Sequence, residues 1–327
     1  MHWLDFVSAA ALTRTPPRRR VFRDGWGDPG VLEWYSSIVG RVPSDIPEID
    51  LVEDSPVRSK GLTLSDLRFR SPAVHLPDAS RLAKARLVTP DPEPQRICLL
   101  MAAWNEHGYG ARTRLARLLA AQGIATVILE NPLYGDRRTD PGDDRPLGSV
   151  SDFAVMGRAA VVEGRALLAH FHRLGLHTGV GGFSMGGNIA AFVGTTVPFP
   201  TAIAVAGASH SPGPPFLQGA ISRAVAFDAL GGDTPETRQR LHQFMLSASV
   251  LDHEPREHTR AAVLLAGTID GIVPTSAVQA LHRHWPGSRL DWVHAGHATL
   301  LWLNKDRMAA ATVDAFDRVD AMFRLEH

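Results

Sequence analysis

The chain has 327 residues, of which 44% are hydrophobic, and its 34 Lys and Arg residues balance 34 Asp and Glu residues. This length suffices for one large α/β domain with an insertion, or for two small domains. The neutral charge balance gives no electrostatic reason to expect nucleic acid or an anionic membrane as a partner. The single cysteine, Cys98, excludes an internal disulfide and lies in an apolar run, where a buried, inert thiol is expected.

The sequence shows neither a transmembrane segment nor a secretory signal. No apolar stretch approaches the roughly 18 residues that a membrane-spanning helix needs. The chain starts apolar and carries Arg18, Arg19 and Arg20 only afterwards, which is the reverse of the order in a secretory signal. We therefore expect a cytoplasmic protein, while these features predict no particular oligomeric state.

Residues 1–90 differ from the rest of the chain in their several prolines, short apolar groups and lack of a long periodic element. They predict an extension packed on the core, with a few short strands around residues 62–74 and 85–88. The proline-rich segment 89–94 is expected to lead into a catalytic domain at residues 91–327.

From Ile97 onward, predicted strands alternate with predicted helices. The strands are expected at 97–102, 125–129, 177–183, 201–206, 261–266 and 290–293, and the helices at 112–122, 151–174, after residue 184 to about 195, at 275–285 and from 298. This alternation predicts an α/β fold with a doubly wound, mostly parallel sheet. The rhythm stops over 208–258, where helix-like pieces near 220–230 and 235–249 predict a small helical lid inserted at the active-site end.

The segment Gly182-Phe183-Ser184-Met185-Gly186 reads G-x-S-x-G between a predicted strand and a predicted helix. This context is typical of a nucleophile elbow, in which a serine stands at a strained strand-to-helix turn. Glycines are needed there because larger neighbours would collide. The following helix would aim its N-terminal N–H groups at a developing oxyanion. An ordinary turn serine is the structural alternative for Ser184.

Two later strands each end in a residue that could complete a catalytic triad. Asp270 follows the predicted strand 261–266, and His297 follows the strand 290–293, so the chain order is Ser184, Asp270, His297. Each has rivals: Asp252 and Asp291 for the acid, and His294 for the base. Asp270 could instead cap a helix or hold an Asx turn. A metal site at the two histidines is not expected, because no third ligand stands at a recognisable spacing.

An oxyanion hole needs two backbone N–H groups. One is expected from Met185, directly after the nucleophile, and the other from Trp104 or Asn105 in the loop after the strand 97–102. His107 in the same loop and Glu130 after the next strand are candidate pocket residues. Both also have a purely structural interpretation, since a loop histidine often only bonds to its neighbours and Glu130 precedes an Asn-Pro turn.

Several stretches together resemble one family, the α/β-hydrolase domain-containing protein 18 family. The resemblance is carried by Gly25-Trp26-Gly27, Leu129-Glu130-Asn131-Pro132-Leu133-Tyr134-Gly135, Val150-Ser151-Asp152-Phe153-Ala154-Val155-Met156-Gly157, Ser184-Met185-Gly186-Gly187, Trp285-Pro286-Gly287 and Gly296-His297. It covers nearly the whole chain, and it implies an α/β-hydrolase fold with the triad Ser184, Asp270 and His297. The family's loop after the third sheet strand looks glycine-rich, whereas this chain has Ala103, Trp104 and Asn105 there.

These features together predict a serine esterase or acyl hydrolase that needs no cofactor and acts on a small-molecule or lipid ester through an acyl-enzyme intermediate. Lipid acyl esters are a substrate class that the resemblance allows. Two alternatives stay open: a lipid deacylase of the same chemistry that acts at a membrane surface, and a non-catalytic binding protein on a hydrolase fold.

Overall fold

The computed structural model describes residues 20–38, 41–59, 61–140 and 147–324, so Arg18 and Arg19 of the N-terminal basic cluster lie outside the described residues. The strands are β1 Val52–Glu53, β2 Val57–Ser59, β3 Leu62–Arg70, β4 Leu82–Pro90, β5 Arg96–Met101, β6 Ile124–Leu129, β7 His177–Phe183, β8 Thr201–Ala206, β9 Val263–Gly267 and β10 Arg289–Val293. The helices are α1 Pro29–Ser37, α2 Gly110–Ala120, α3 Val150–Arg173, α4 Met185–Thr196, α5 Gly213–Leu217, α6 Pro235–Leu246, α7 Thr275–His284, α8 His297–Leu303 and α9 Lys305–Arg324.

All ten strands belong to one sheet, in the order β1-β3-β4-β6-β5-β7-β8-β9-β10, with β2 paired to β3. The six strands from β5 to β10 pair with one another in parallel. β1 to β4 pair antiparallel and join the parallel part along β6. β8 is buried along its whole length, as expected for a parallel strand with helices on both faces.

Helices cover both faces of the parallel strands. α3, α4 and α7 contribute Leu167, Val193 and Leu281 to the core on one face. α2 and α9 contribute Leu119 and Phe316 to the core on the other. The predicted α/β fold with a doubly wound, mostly parallel sheet is therefore confirmed, and its predicted strands lie within two or three residues of the observed ones.

The N-terminal extension contains longer strands than the sequence pattern suggested. β3 and β4 each have nine residues and pair along their full length, so they enlarge the central sheet. In β3, Leu67 and Phe69 are buried while Asp66, Arg68 and Arg70 are exposed, which is the alternation of a half-buried strand. The expectation of only short strands is wrong, and Pro90, assigned to the linker, closes β4. The division at residue 90 into an extension and a catalytic domain stays a prediction.

The predicted insertion at 208–258 is helical but differs in its first half. The first helix is the short α5, and residues 220–224 form a 3₁₀ turn in place of the predicted helix over 220–230. Pro214 and Pro215 lie in the first turn of α5, where proline fits because those N–H groups have no helical acceptor. The second predicted piece is observed as α6.

The segment Gly25-Trp26-Gly27 forms hydrogen bonds with both this insertion and the start of α3. The indole N–H of Trp26 donates to the Leu230 carbonyl at 3.0 Å, and the Val150 N–H donates to the Gly25 carbonyl at 3.1 Å. Gly27 has a φ of 77°, and a side chain there would overlap the Ser151 hydroxyl. Glycine is therefore required here by the positive φ and by the close approach of the Ser149 and Ser151 side chains. α3 itself begins after Ser149, whose side-chain oxygen accepts the Asp152 N–H at 3.1 Å.

Candidate active site

Ser184 stands on the turn between β7 and α4. Its φ of 56° and ψ of −123° lie in a region that residues other than glycine rarely occupy. Its own N–H donates to the Ala206 carbonyl on β8 at 2.9 Å, which holds the turn against the sheet. Such strain persists only where the surroundings enforce it, and it is frequent at functional sites.

The glycines on either side of Ser184 are required by the contacts of the turn. A side chain at Gly186 would overlap the Met101 carbonyl oxygen at the end of β5, and one at Gly182 would overlap the backbone of Gly186. The turn therefore packs directly on the neighbouring strand, with no space for a β-carbon. This explains why the G-x-S-x-G spacing is needed here.

His297 and Asp270 reach Ser184 from two other strand ends. His297 opens α8 after β10, and its Nε2 lies 2.9 Å from the Ser184 Oγ. Its Nδ1 lies 2.7 Å from the Asp270 Oδ2. Because a carboxylate can only accept, Nδ1–H donates to Asp270 and the Nε2 lone pair faces the serine hydroxyl. The three residues therefore form a continuous hydrogen-bonded chain, an arrangement that can activate a serine hydroxyl.

The Asp270 carboxylate is held by the backbone of its own loop. Its Oδ1 accepts the N–H groups of Ile272 at 2.8 Å and Val273 at 2.9 Å, while Oδ2 is left for His297. The side chains of Asp270 and His297 are only 3% and 8% exposed. Burial strengthens a charge-assisted hydrogen bond because little water competes for it.

The rival residues have other partners. The Asp291 Oδ1 pairs with the Arg289 Nε at 2.9 Å on the surface. The exposed His294 contacts the Thr268 hydroxyl through its Nδ1 at 3.3 Å. Asp252 is exposed at the end of a 3₁₀ turn in the insertion. The structure thus gathers Ser184, Asp270 and His297, and leaves these three side chains elsewhere.

Met185 is the first residue of α4, so its N–H has no acceptor within the helix. The positive end of the helix dipole lies at the same place, which favours a negative charge beside Ser184. Because Gly186 packs on the end of β5, the loop that follows β5 lies beside the elbow. This loop carries the candidates for the second oxyanion donor.

The loop after β5 is braced by an ion pair that the sequence analysis missed. The Glu106 carboxylate accepts the Ala103 N–H at 3.0 Å and the Arg112 Nε at 2.6 Å. Arg112 also donates to the carbonyls of Leu100 and Leu129, each at 2.6 Å. The Ala103 N–H is therefore already engaged, so Trp104 and Asn105 remain the loop's candidate donors. The pair Glu106 and Arg112, six residues apart across a loop, shows no pattern that sequence reasoning could have used.

Asn105 and His107 bond to each other and to the loop after β6. The Gly135 N–H donates to the His107 Nδ1 at 3.1 Å, which leaves the Nε2–H of that ring to donate to the Asn105 Oδ1 at 3.1 Å. Asn105 has a φ of 57°, a conformation that asparagine tolerates better than most residues. These contacts fix the shape of the loop that carries Trp104.

Glu130, a candidate pocket residue in the sequence, is buried in the protein interior. It is 3% exposed, its Oε1 accepts the Asp136 N–H at 3.3 Å, and a side chain at Gly135 would overlap the same oxygen. Burial raises the pKa of Glu130 above its ordinary value. Glu130 thus supports the turn at Gly135 from the protein interior.

Two cavities flank the elbow. A cavity of about 360 Å³ is lined by residues of the β5 loop, α2 and α8, among them Trp104, Asn105, His107 and Leu301. A narrower, mostly apolar cavity of about 60 Å³ begins at Met185 and runs between α3, α4, the insertion and the N-terminal extension. Its walls include Tyr35, Phe153, Met156, Gly157 and Phe192. The stretch 150–157, quoted above for the resemblance, therefore forms a wall of this cavity.

Tyr35 and Ile38 of the extension also line the apolar cavity, which sequence reasoning did not anticipate. Within the described residues, no cluster of three or more His, Cys, Asp or Glu side chains is arranged to hold a metal ion. In the same part of the chain, no helix combines the length and apolar character needed to cross a bilayer.

Comparison with known proteins agrees with this architecture. The model of the family described as "Alpha/beta hydrolase domain containing 18" matches residues 19–253 and 232–318. Acetyl xylan esterase 1 from Thermoanaerobacterium sp. JW/SL YS485 is similar in structure, with a TM-score of 0.55, 14% identity, and coverage of 94% of this chain and 98% of that chain. Acetyl xylan esterase from Paenibacillus sp. R4 has a TM-score of 0.55 and 15% identity, and the match covers 93% of this chain and 98% of that chain. An S-formylglutathione hydrolase from Agrobacterium tumefaciens has a TM-score of 0.52 and 11% identity, and the match covers 82% of this chain and 99% of that chain.

Proposed function

This chain belongs to the α/β-hydrolase domain-containing 18 family, and from this premise and the site geometry we propose that it is a serine hydrolase of carboxylic (acyl) esters. The observation that carries the proposal is the hydrogen-bonded chain from the Ser184 Oγ through His297 to Asp270, with links of 2.9 and 2.7 Å. A serine, a histidine and an aspartate without a catalytic role would not be expected to form this hydrogen-bonded chain from the ends of three separate strands.

The mechanism uses only groups of this chain. His297 takes the proton of the Ser184 hydroxyl as the oxygen attacks the ester carbonyl, and Asp270 stabilises the resulting imidazolium. The tetrahedral intermediate collapses when His297 gives that proton to the departing alkoxide, leaving an acyl-serine. Water, deprotonated by His297, then attacks the acyl-serine, and the acid leaves as Ser184 regains its proton. The N–H groups of Met185 and Trp104 hold the oxyanion in both halves, and one such donor contributes about 3 kcal/mol.

The apolar cavity that begins at Met185 is the proposed acyl site. Met185 is next to the nucleophile, and the walls at Phe153, Met156 and Phe192 suit a hydrocarbon chain. The alcohol part of the ester would then lie on the other side of Ser184, in the cavity lined by Trp104, Asn105 and His107.

The decisive experiment is labelling with a fluorophosphonate probe, read by intact mass. We expect one adduct on the wild type and none on Ser184→Ala. Ser222→Ala, a partly exposed serine of the insertion, is the matched control and should label like the wild type. An unlabelled but folded wild type would favour the binding-protein alternative. Labelling of Ser184→Ala equal to the wild type would overturn Ser184 as the nucleophile.

A membrane-surface lipid deacylase of the same chemistry is the second candidate, favoured by one observation. Trp302 and Leu303, at the end of α8, are 57% and 76% exposed, and the adjoining Leu301 lines the larger cavity. An exposed apolar pair beside a substrate cavity is suited to contact with lipid.

This candidate is tested by Trp302→Ser and Leu303→Ser, assayed on a soluble short-chain ester and on an ester carried in vesicles. Loss of activity on the vesicle substrate, with activity on the soluble ester retained, would support an enzyme that acts at a membrane surface. Leu174→Ser is the control, because Leu174 is 65% exposed but lies beyond α3, near the start of β7 and away from its catalytic end. Equal activity of all variants on both substrates would exclude this second candidate.

A further inference from the structure

A third, polar cavity lies at the far end of α4 from Ser184. It has a volume of about 600 Å³ and is bordered by residues 41–44 of the extension, Arg165 on α3, the last turn of α4 and residues 253–257. α4 has 12 residues and begins directly after Ser184. At 1.5 Å per residue, the cavity is therefore roughly 18 Å from the nucleophile. Its lining includes none of the three triad residues, and it shares only Arg41 with the apolar cavity beside the elbow.

More positive than negative side chains line this cavity. Arg41, Arg165 and Arg256 line it, against two exposed acidic residues, Glu254 and Glu257. None of the three arginines makes an ion pair with any residue in the described part of the chain. Three positive against two negative side chains leave the lining with an excess of one positive charge, which favours an anion in the cavity.

Arg165 is the buried member of this group, with an exposure of 3%. Its Nη2 donates to the Pro43 carbonyl at 2.8 Å and to the Thr196 carbonyl at 3.4 Å, but its Nε has no hydrogen-bond partner. Burial, together with the charges of Arg158 and Arg256, lowers the pKa of Arg165 to about 10, so it is still a cation at neutral pH. A buried charged donor without an acceptor is costly unless a ligand supplies one.

A second buried nitrogen on the cavity wall also lacks a partner. His253 borders the cavity, and its Nε2 is buried without a hydrogen bond. Burial lowers the pKa of His253, which keeps the ring neutral at pH 7, when one of its nitrogens still carries a hydrogen that can be donated.

Capping of α4 explains only part of this arrangement. The contact of the Arg165 Nη2 with the Thr196 carbonyl is the kind that stabilises a helix C-terminus. It uses one nitrogen of one guanidinium and leaves the Arg165 Nε, Arg41, Arg256 and His253 unexplained.

We infer that this cavity binds a phosphate group. A carboxylate offers two oxygens and one negative charge, fewer than the donors that three guanidinium groups and an imidazole present. A phosphate offers three or four oxygens with up to two charges, which suits several guanidinium forks. The phosphate can belong to a free ion or to a lipid headgroup, and the two sources are separable by experiment.

The test measures binding of inorganic phosphate by calorimetry at constant ionic strength, set with sodium chloride. We expect saturable binding to the wild type and affinity about tenfold or more weaker for Arg256→Gln, because a charge-assisted contact is lost. Arg260→Gln is the matched control: Arg260 is exposed four residues further on and does not border the cavity. Ser184→Ala should bind phosphate normally, so failure of the proposed hydrolysis and failure of this inference are distinguishable.

A second arm measures retention on phosphatidylcholine vesicles with and without phosphatidic acid. Weaker retention of Arg256→Gln, but not of Arg260→Gln, on vesicles with phosphatidic acid would identify a headgroup as the source. Binding of soluble phosphate alone would identify a free ion. The inference is overturned if the wild type binds neither, or if Arg256→Gln and Arg260→Gln bind both as the wild type does.

Discussion

Arg137 and Glu163 form a two-pronged ion pair in which neither side chain has any exposure to solvent. The Nη1 and Nη2 atoms of Arg137 lie 2.8 and 2.6 Å from the two carboxylate oxygens of Glu163 on α3. The same guanidinium donates to the carbonyls of Ser80 and Glu130 at 2.7 and 2.8 Å. One buried cation thus joins the N-terminal extension, the loop after β6 and the longest helix, which positions the loop that contacts His107.

Truncation of this ion pair should be strongly destabilising. Arg137→Ala leaves the Glu163 carboxylate buried without a partner, which typically lowers the free energy of unfolding by about 3–5 kcal/mol. Urea unfolding followed by circular dichroism would measure the change. Asp136→Ala, which removes an exposed ion pair with Lys84, is the neighbouring control. It should lower the free energy of unfolding by at most about 1 kcal/mol. Similar midpoints for the two variants would contradict the structural role of the buried pair.

Asp270→Asn should preserve the fold and remove most of the turnover. The amide can still accept the N–H groups of Ile272 and Val273 through its oxygen, but its NH₂ cannot accept a hydrogen bond from the His297 Nδ1. His297 would then adopt the wrong tautomer, and loss of kcat by about 10⁴-fold is the precedent for this change in serine hydrolysis. Steady-state rates on a p-nitrophenyl ester measure it. Asp291→Asn, at the exposed rival position, should retain full activity, and equal losses would refute Asp270 as the acid.

Filling the apolar cavity should change the preferred acyl length. Gly157 lines that cavity on α3, and a β-carbon added there would meet no atom within 4 Å. The β-carbon of a substituted residue therefore meets no clash, and the further carbons of Gly157→Ile should occupy part of the cavity. We expect kcat/KM for long-chain p-nitrophenyl esters to fall at least about tenfold, with acetate turnover retained. Gly110→Ala, another helical glycine with open space around it, is the control. A uniform effect at all chain lengths would place the acyl group elsewhere.

Acidification should weaken the fold through buried histidines. The His258 Nε2 lies 2.8 Å from the Gly194 carbonyl, and burial lowers the pKa of His258 below its ordinary value of 6.5. The unfolded chain therefore takes up the proton first, so this contribution to stability is present above pH 6.5 and is lost as the pH falls below it. Burial lowers the pKa values of His210 and His253 as well, with the same sign.

Urea unfolding at pH 7.5 and at pH 5.5 would test this, with His258→Gln beside the wild type. The glutamine can still donate to the Gly194 carbonyl but does not titrate. We expect the wild type to lose more stability than the variant between the two pH values. Equal losses would show that His258 does not couple folding to pH.

Local patterns in the sequence were sufficient for the parallel part of the fold. The apolar runs that became β5 to β9 are bounded by glycines or turns, and each central strand is buried on both faces, so composition alone marks them. β3 was harder to recognise, because its alternation of Leu67 and Phe69 with Asp66 and Arg68 lies among prolines that suggested irregular chain. Within residues 208–258 the first predicted helix was wrong, since Pro214 and Pro215 open a short helix as readily as they break one.

The sequence by itself determined the strand-to-helix turn at Ser184, because the need for glycine at 182 and 186 and for a strand before a helix is local. It also proposed Asp270 and His297, since each directly follows a strand and such strand ends meet at one edge of a parallel sheet. Only the tertiary structure decided which of the rival acids and bases lie beside Ser184. It alone also revealed the brace from Glu106 to Arg112, the buried pair of Arg137 and Glu163, and the arginine-lined cavity. Those contacts join residues from separate elements, and their energies depend on burial and distance, which no local pattern encodes.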